Sequence, residues 1–271
     1  MPGLRIKDAL PELFQRAYPA LDPKMEMLSA LSLLQFHGID ALPLSFDSDR
    51  KNRAVTGFSS LARVMRLDRK GLPTFLRQPC EEASEPLSTV GAERSVSVLL
   101  DKFLRTRFGF ARVEEKKNVG ALVSLWDLLG LYQTRVFNTD LTVEDVGSSI
   151  FSMPPRTTAR EALRAMFRRG VRRVFVDSPT KFVWDRGMIE RLFSPSVLAS
   201  AAENPSGDLL GITLSELEPA AAGQVKPGTK LREAARMLRQ ERRHCLVFDR
   251  RVVTPWDVVM KPWKAKALKI G

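Results

Sequence analysis

Apolar residues at 159, 162, 163 and 166 (Ala159, Ala162, Leu163, Met166) follow the i, i+3, i+4, i+7 spacing of one buried helix face. Leu231, Ala234, Ala235 and Leu238 repeat that spacing further on. Each predicted helix is followed by a short apolar run ending in Asp, Val174-Phe175-Val176-Asp177 and Leu246-Val247-Phe248-Asp249, which predicts a strand. Residues 155–164 align with 227–236 without a gap, an offset of 227 − 155 = 72. Self-similarity at a fixed spacing means one small unit used more than once.

Two fainter copies precede these. In the first, Pro23 leads into a predicted helix over 25–36, and Gly38-Ile39-Asp40-Ala41-Leu42-Pro43-Leu44 parallels Gly170-Val171-Arg172-Arg173-Val174-Phe175-Val176. The second has a helix over 96–104, a strand over 109–113, and a closing run from Val119 through Ser124 and Asp127 to Leu129. The fourth copy closes alike, from Arg251 through Thr254 and Asp257 to Met260. Each copy therefore reads as loop, helix, strand, turn, strand, helix.

A strand running into Ser/Thr-x-x-Asp and then a helix resembles the CBS domain, a nucleotide-sensing module. The resemblance spans about residues 4 to 261. It implies an α/β fold of four β-α-β-β-α CBS repeats forming two pseudo-symmetric Bateman modules, at 1–135 and 136–271, with residues 132–141 as the joint. The polar stretch 200–208 reads as the loop between repeats three and four.

By the same resemblance, the Asp accepts ribose hydroxyls. The Ser/Thr hydroxyl and the N–H groups of the helix start receive phosphate, as a helix N-terminus favours anions. Repeat four would use Thr254 and Asp257, with residues 224–226, including Lys226, near the base and Arg243 or His244 on phosphate. Repeat two would use Ser124 and Asp127, with residues 89–91 near the base. AMP, ADP or ATP is the implied ligand, and no cofactor is required. Repeat one ends Ser59-Ser60-Leu61-Ala62 with no following Asp, and repeat three has Asp185 and Met188 where hydroxyl and Asp belong. These two sites are expected to be nonfunctional for nucleotides, or altered. Ser/Thr-x-x-Asp also caps a helix without any ligand.

Charge adds a second theme. The chain carries 43 basic and 31 acidic residues, a net charge of +12. Residues 1–135 hold 20 basic and 16 acidic groups (+4) and residues 136–271 hold 23 and 15 (+8), so the excess lies toward the C-terminal half. Arg160, Arg164 and Arg168 recur every four residues beside an apolar face, and Arg232, Arg236 and Arg239 follow suit in repeat four. Arg172, Arg173, Arg242 and Arg243 stand before the following strands. Such rows are either a solvated face or a surface for polyanions. The last eleven residues carry Lys261, Lys264, Lys266 and Lys269 around Trp263, without an acid. A basic, flexible end with an aromatic suits RNA; an ordinary frayed terminus is the alternative.

Enzyme signals are poor. His37 and His244 have no metal spacing with Cys80 and Cys245, which read as buried thiols. Residues 223–230 resemble a phosphate-binding loop only superficially, since the final Lys and Thr are in the wrong order. No apolar run approaches the roughly 20 residues needed to span a bilayer, so a soluble, cytoplasmic chain is expected. Three readings compete. The first is a non-catalytic regulator docking on ribosomal RNA or ribosomal subunits to silence translation under low energy, as some archaeal tandem-CBS proteins do. The second is an adenine-nucleotide-sensing subunit resembling the γ subunit of AMP-activated kinase. The third is a DNA binder. The charge favours RNA.

Overall fold

All four copies fold as the pattern predicts. In repeat three, Ser152–Met153 runs parallel to Arg173–Val176, which pairs antiparallel with Lys181–Trp184. Helix Ala159–Arg169 connects the parallel pair and helix Asp185–Leu192 follows the hairpin. Repeat four repeats this with Gly223–Gln224, Leu246–Phe248 and Arg251–Val253, and helices Leu231–Gln240 and Pro255–Lys264. Repeat two uses Thr89–Gly91, Phe110–Lys116 and Val119–Ser124, with helices Val96–Thr106 and Leu125–Gln133. In repeat one the first strand shrinks to a single parallel bridge, Leu21 to Leu44, beside the hairpin Ala41–Pro43 and Arg53–Thr56. Its helices are Met27–His37 and Gly57–Val64. The apolar faces read from the sequence are buried: Ala159, Ala162, Leu163, Met166, Leu231, Ala234, Ala235 and Leu238 all lie in cores. Gly170, at φ 63°, ends helix Ala159–Arg169 in the left-handed conformation that glycine adopts without strain.

The structure is a computed structural model and describes residues 3–16, 19–37, 39–45, 52–66, 71–116, 119–194, 197, 208–240 and 243–271. Gly38, Arg242 and residues 200–207 of the expected inter-repeat loop lie outside the described residues.

The chain forms two compact units. One comprises Met1–Tyr18, Leu87–Ile150 and Ala222–Gly271; the other comprises Pro19–Pro86 and Phe151–Ala221. The first thus joins repeats two and four and the second joins repeats one and three, so each sequence half, 1–135 and 136–271, gives one repeat to each unit. In the first unit the second helix of repeat two, Leu125–Gln133, packs on both helices of repeat four. Tyr132 of this helix is buried and donates its hydroxyl to the Val258 carbonyl at 2.7 Å. In the second unit helices Asp185–Leu192 and Gly57–Val64 pack together. Each unit has its own apolar core.

The segments that lead into the repeats are exchanged. Arg5, before repeat one, bridges Ser95 at the start of the first helix of repeat two, and Pro79, before repeat two, bridges Glu26 of repeat one. Thr142, before repeat three, bridges Lys230 of repeat four, and Thr213, before repeat four, bridges Thr158 of repeat three. The chain continues from these segments into edge strands. Glu85–Pro86, Ser148–Ser149 and Ala220–Ala221 complete the sheets of repeats one, four and three.

One sequence expectation changes. In residues 132–141, expected as the joint, Tyr132 and Phe137 are buried and Phe137–Asn138 pairs with Lys269–Ile270. That same pairing pins the C-terminal end, which was expected to be flexible. Leu268 is buried and the Gly271 N–H donates to the Val136 carbonyl.

Candidate functional site

The second helix of each repeat begins where a strand ends, and its free N–H groups there favour an anion. In every repeat a carboxylate of the chain stands beside that start. In repeat two, Ser124 donates from its N–H and its hydroxyl to Asp127 Oδ2, both at 2.8 Å. The other oxygen, Oδ1, accepts from Arg16 Nη1 at 2.6 Å. In repeat four, Thr254 N–H and hydroxyl donate to Asp257 Oδ2 at 2.9 and 2.7 Å. Asp257 Oδ1 accepts from Ser148 at 3.2 Å and pairs with Lys261 at 2.9 Å. Both carboxylates are buried. The structure thus joins Ser124 to Asp127 and Thr254 to Asp257. A ribose arriving at either Asp has to displace Arg16, or Lys261 and Ser148.

Repeat three solves the same problem differently. Asp185 opens its helix, is 2% exposed, and accepts from Arg172 Nε at 2.8 Å. Burial pushes the Asp185 carboxyl up, and the Arg172 guanidinium pulls it partly back. Arg172 also reaches Asp40 at 3.4 Å, and the two carboxylates hold its pKa above the ordinary value despite burial. In repeat one the anion comes from the next segment: Thr56 donates to Glu85, and Ser59 donates to Glu85 Oε2 at 2.7 Å.

Arg16, Glu85 and Ser148 were not singled out from the sequence, and Lys261 was read only as part of the basic C-terminal run. They are distant in sequence from the motif or outside its spacing, and only the exchanged segments bring Arg16, Glu85 and Ser148 in. The capping signal that marks two of those segments, Thr142-x-x-Asp145 and Thr213-x-x-Glu216, was legible. Both pairs form: Thr142 and Thr213 donate from N–H and hydroxyl to Asp145 and Glu216.

Among the other expected nucleotide contacts, Lys226 is exposed. The stem of Arg243 lies against Gly223, where an added Cβ would stand 2.5 Å from Arg243 Cδ. His244 meets the Trp126 ring edge-on at 5.9 Å. Residues 89–91 and 224 lie in the parallel strands of their sheets.

The arginines divide. Arg164, Arg168, Arg232 and Arg236 are exposed. Arg160 pairs with Asp208 at 2.7 Å. Arg172 belongs to the Asp185 cluster, and Arg173 is half-buried. Arg239 is half-buried and lies on Gly130, where an added Cβ would come within 2.9 Å of Arg239 Nη1. It donates to Gln133 Oε1 at 3.3 Å. At the C-terminal end Lys264, Lys266 and Lys269 are exposed. Trp263, expected as a stacking aromatic, packs on the core and donates to Asp101 at 2.9 Å.

The first helix of repeat four and the end of helix Leu125–Gln133 enclose an open pocket of about 530 Å³. Its lining is Gln133, Lys230, Arg232, Glu233, Arg236 and Gln240. Arg236 donates to both oxygens of Glu233, with Nε at 3.0 Å, and to Gln240 at 3.0 Å. Lys230 donates to the Asp140 carbonyl at 2.9 Å.

Cys80 and Cys245 are buried free thiols, and burial pushes the Cys80 thiol up to about 11. Among the described residues no cluster of three or more His, Cys, Asp and Glu is placed to hold a metal. No described helix is long and apolar enough to cross a membrane.

No protein-family model matches the chain, and no curated protein matches it. Solved structures do. Protein MJ1225 from Methanocaldococcus jannaschii, proposed as an archaeal homolog of g-AMPK, superposes with a TM-score of 0.81 over 97% of this chain and 100% of its own, at 15% identity. CBS-domain protein PAE2072 from Pyrobaculum aerophilum, complexed with AMP, matches 46% of this chain and 90% of its own at 21% identity and a TM-score of 0.36. CBS-domain containing protein ATU1752 from Agrobacterium tumefaciens matches 48% and 96% at 19% identity and 0.40. Four β-α-β-β-α repeats and a whole-length superposition on MJ1225 give this chain the tandem CBS fold.

Proposed function

We propose that this protein is a non-catalytic regulator that docks on RNA through basic helix faces carried by its CBS repeats. The observation that carries this reading is the set of exposed guanidinium groups Arg164, Arg168, Arg232 and Arg236 on two related helices. A net charge of +12 supports it. Ribosomal subunits are the RNA partner we propose, because a large folded phosphate surface can engage separate basic patches at once. The test is binding of structured RNA by the parent and by a variant with Arg164, Arg168, Arg232 and Arg236 all changed to Gln. The variant should bind more weakly, and its slope of log affinity against log salt should flatten by about 0.7–0.9 per lost contact. Equal affinity and slope would reduce the rows to a solvated surface. Sedimentation of host lysate at moderate and high salt tests the ribosomal partner. A protein that stays at the top of the gradient in growing and starved cells would end that part of the proposal.

A second reading is an adenine-nucleotide sensor, favoured by the whole-length likeness to MJ1225 and by the intact Ser124–Asp127 and Thr254–Asp257 pairs. Binding at repeat two requires release of Arg16 from Asp127, so Arg16→Gln should tighten AMP, ADP or ATP while Asp127→Ala abolishes that site. Calorimetry showing neither change would remove repeat two from this reading. We further propose 1–135 and 136–271 as the two Bateman modules. The exchange of leading segments supports this, since each exchange stays within one of these halves.

A further inference from the structure

We infer that, of the two helix starts that keep hydroxyl and Asp, repeat four is the tighter nucleotide site, and that Ser148 sets this preference. Ser148 lies outside the Ser/Thr-x-x-Asp motif, and its role rests on the nucleotide-sensor reading above.

The exchanged segments place one residue at the same point of three sheets. Ser148 stands opposite Val252, Glu85 opposite Ala54 and Ala220 opposite Phe182. Each of these partners lies two residues before the cap of a second helix, Thr254, Thr56 or Trp184. The residue placed there matches the helix start. Repeat one has hydroxyls and no motif Asp, and Glu85 accepts from Thr56 and Ser59. In repeat three Arg172 holds Asp185, and Ala220 brings no polar side chain. In repeat four Ser148 brings a neutral hydroxyl, 3.2 Å from Asp257 Oδ1. In repeat two the leading segment delivers a full positive charge instead. Arg16, next after the helical turn Pro11–Gln15, reaches Asp127 Oδ1 at 2.6 Å.

A ribose hydroxyl that donates to Asp257 replaces the Ser148 hydroxyl like for like, and the bond given up is neutral and long. Lys261 also leaves Oδ1, but it keeps two bonds, to the Val146 carbonyl and to Ser148 Oγ at 2.8 Å. No charge is stranded. At repeat two the position that matches Lys261 holds the buried Leu131, and the cation on Asp127 is Arg16. There the ribose exchanges an ion-paired hydrogen bond on a buried carboxylate for one from a neutral donor, which is weaker. Leu10 and Leu13, buried in the same segment as Arg16, hold its backbone in place.

The test is calorimetry with AMP on the full chain, on Asp257→Ala and on two exchanges of charge. Ser148→Arg brings repeat four the charge that closes repeat two, and Arg16→Gln removes that charge from repeat two. Asp257→Ala should abolish the tighter site. Ser148→Arg should weaken it by about tenfold, the worth of a hydrogen bond to a charged group, and Arg16→Gln should tighten the other site by a similar factor. A gain of affinity cannot come from misfolding, so Arg16→Gln decides alone if the melting temperature of Ser148→Arg shows that it does not fold. Suppose AMP binds, but two sites are equal, or the tighter one survives Asp257→Ala, or a folded variant of the two keeps both parental affinities. Then Ser148 sets no preference, and this inference is overturned while the nucleotide reading stands. If AMP, ADP and ATP bind neither the parent nor Arg16→Gln, the nucleotide reading fails and the role of Ser148 fails with it.

Discussion

The first helices of repeats three and four align without a gap 72 positions apart, and the positions where they differ give them different surfaces. In repeat three Thr158 caps helix Ala159–Arg169. It donates from N–H and hydroxyl to Glu161, and its hydroxyl accepts the Glu161 N–H. In repeat four the equivalent of Thr158 is Lys230, whose side chain has nothing to accept with. Glu233, the equivalent of Glu161, therefore swings to Arg236. Where Arg160 is paired with Asp208, its counterpart Arg232 is unpaired among the described residues. Cap chemistry at one position thus decides whether an acid serves the helix backbone or restrains an arginine. It also decides where unpaired basic groups remain.

The starts of the second helices widen the contrast and give the largest expected effect. Asp257 keeps the Thr254 N–H, the Thr254 hydroxyl and Ser148 when Lys261 is removed. Asp185 has no hydroxyl at its cap position, which is Trp184, and Asp40 is the other carboxylate on Arg172. Arg172→Met should therefore cost about 3 kcal/mol, because it strands a buried carboxylate beside a second one. Lys261→Met should cost about 1 kcal/mol, since one partner of several is lost. Urea unfolding of the two variants measures both. Equal losses would show that repeat three does not depend on its arginine more than repeat four depends on its lysine.

The cap itself comes next. Thr158→Ala should cost about 1 kcal/mol, the usual worth of an N-cap hydroxyl. Lys230→Thr should return about the same amount, if Glu233 leaves Arg236 and completes a cap as Glu161 does. Thermal melts of both variants decide. A Lys230→Thr protein no more stable than the parent would mean that the Asp140 carbonyl contact of Lys230 matters as much as the missing cap.

Much of this fold was legible because it is local. Helix faces such as Ala159 to Met166, and hairpins such as Arg173 to Trp184, follow from the period of apolar positions within one repeat. The pairing Thr254–Asp257 was legible for the same reason, as its members are three residues apart. What was not legible is long-range. The repeats join as two with four and one with three because helices such as Leu125–Gln133 and Leu231–Gln240 bury each other's faces, and a face does not name its partner. The occupants of the helix starts, Arg16 on Asp127 and Glu85 on Thr56, come from the segments exchanged between repeats. The C-terminal end looked free because four lysines hide the buried Leu268 and the strand pairing of Lys269–Ile270.

The smallest effect separates the two acids by the kind of bond each makes. Glu161 is held below the ordinary carboxylate value by the Thr158 N–H and hydroxyl, Glu233 by Arg236. Both depressed values have one sign. Each acid adds stability above the ordinary carboxylate range, and that stability fades as the pH falls through the depressed value. Acid titration alone therefore does not distinguish them. Salt does. The Glu233–Arg236 pair is exposed on both sides, and mobile ions screen it. The bonds from Thr158 to Glu161 are short-range and involve no second full charge, so screening touches them little. At neutral pH, Glu233→Gln should lower the melting temperature slightly at low salt and by less at about 1 M, where the screening length shrinks to about 3 Å. Glu161→Gln should lower it by a similar small amount at both. Matching salt responses in the two variants would erase the distinction between a capping acid and an arginine-restraining acid.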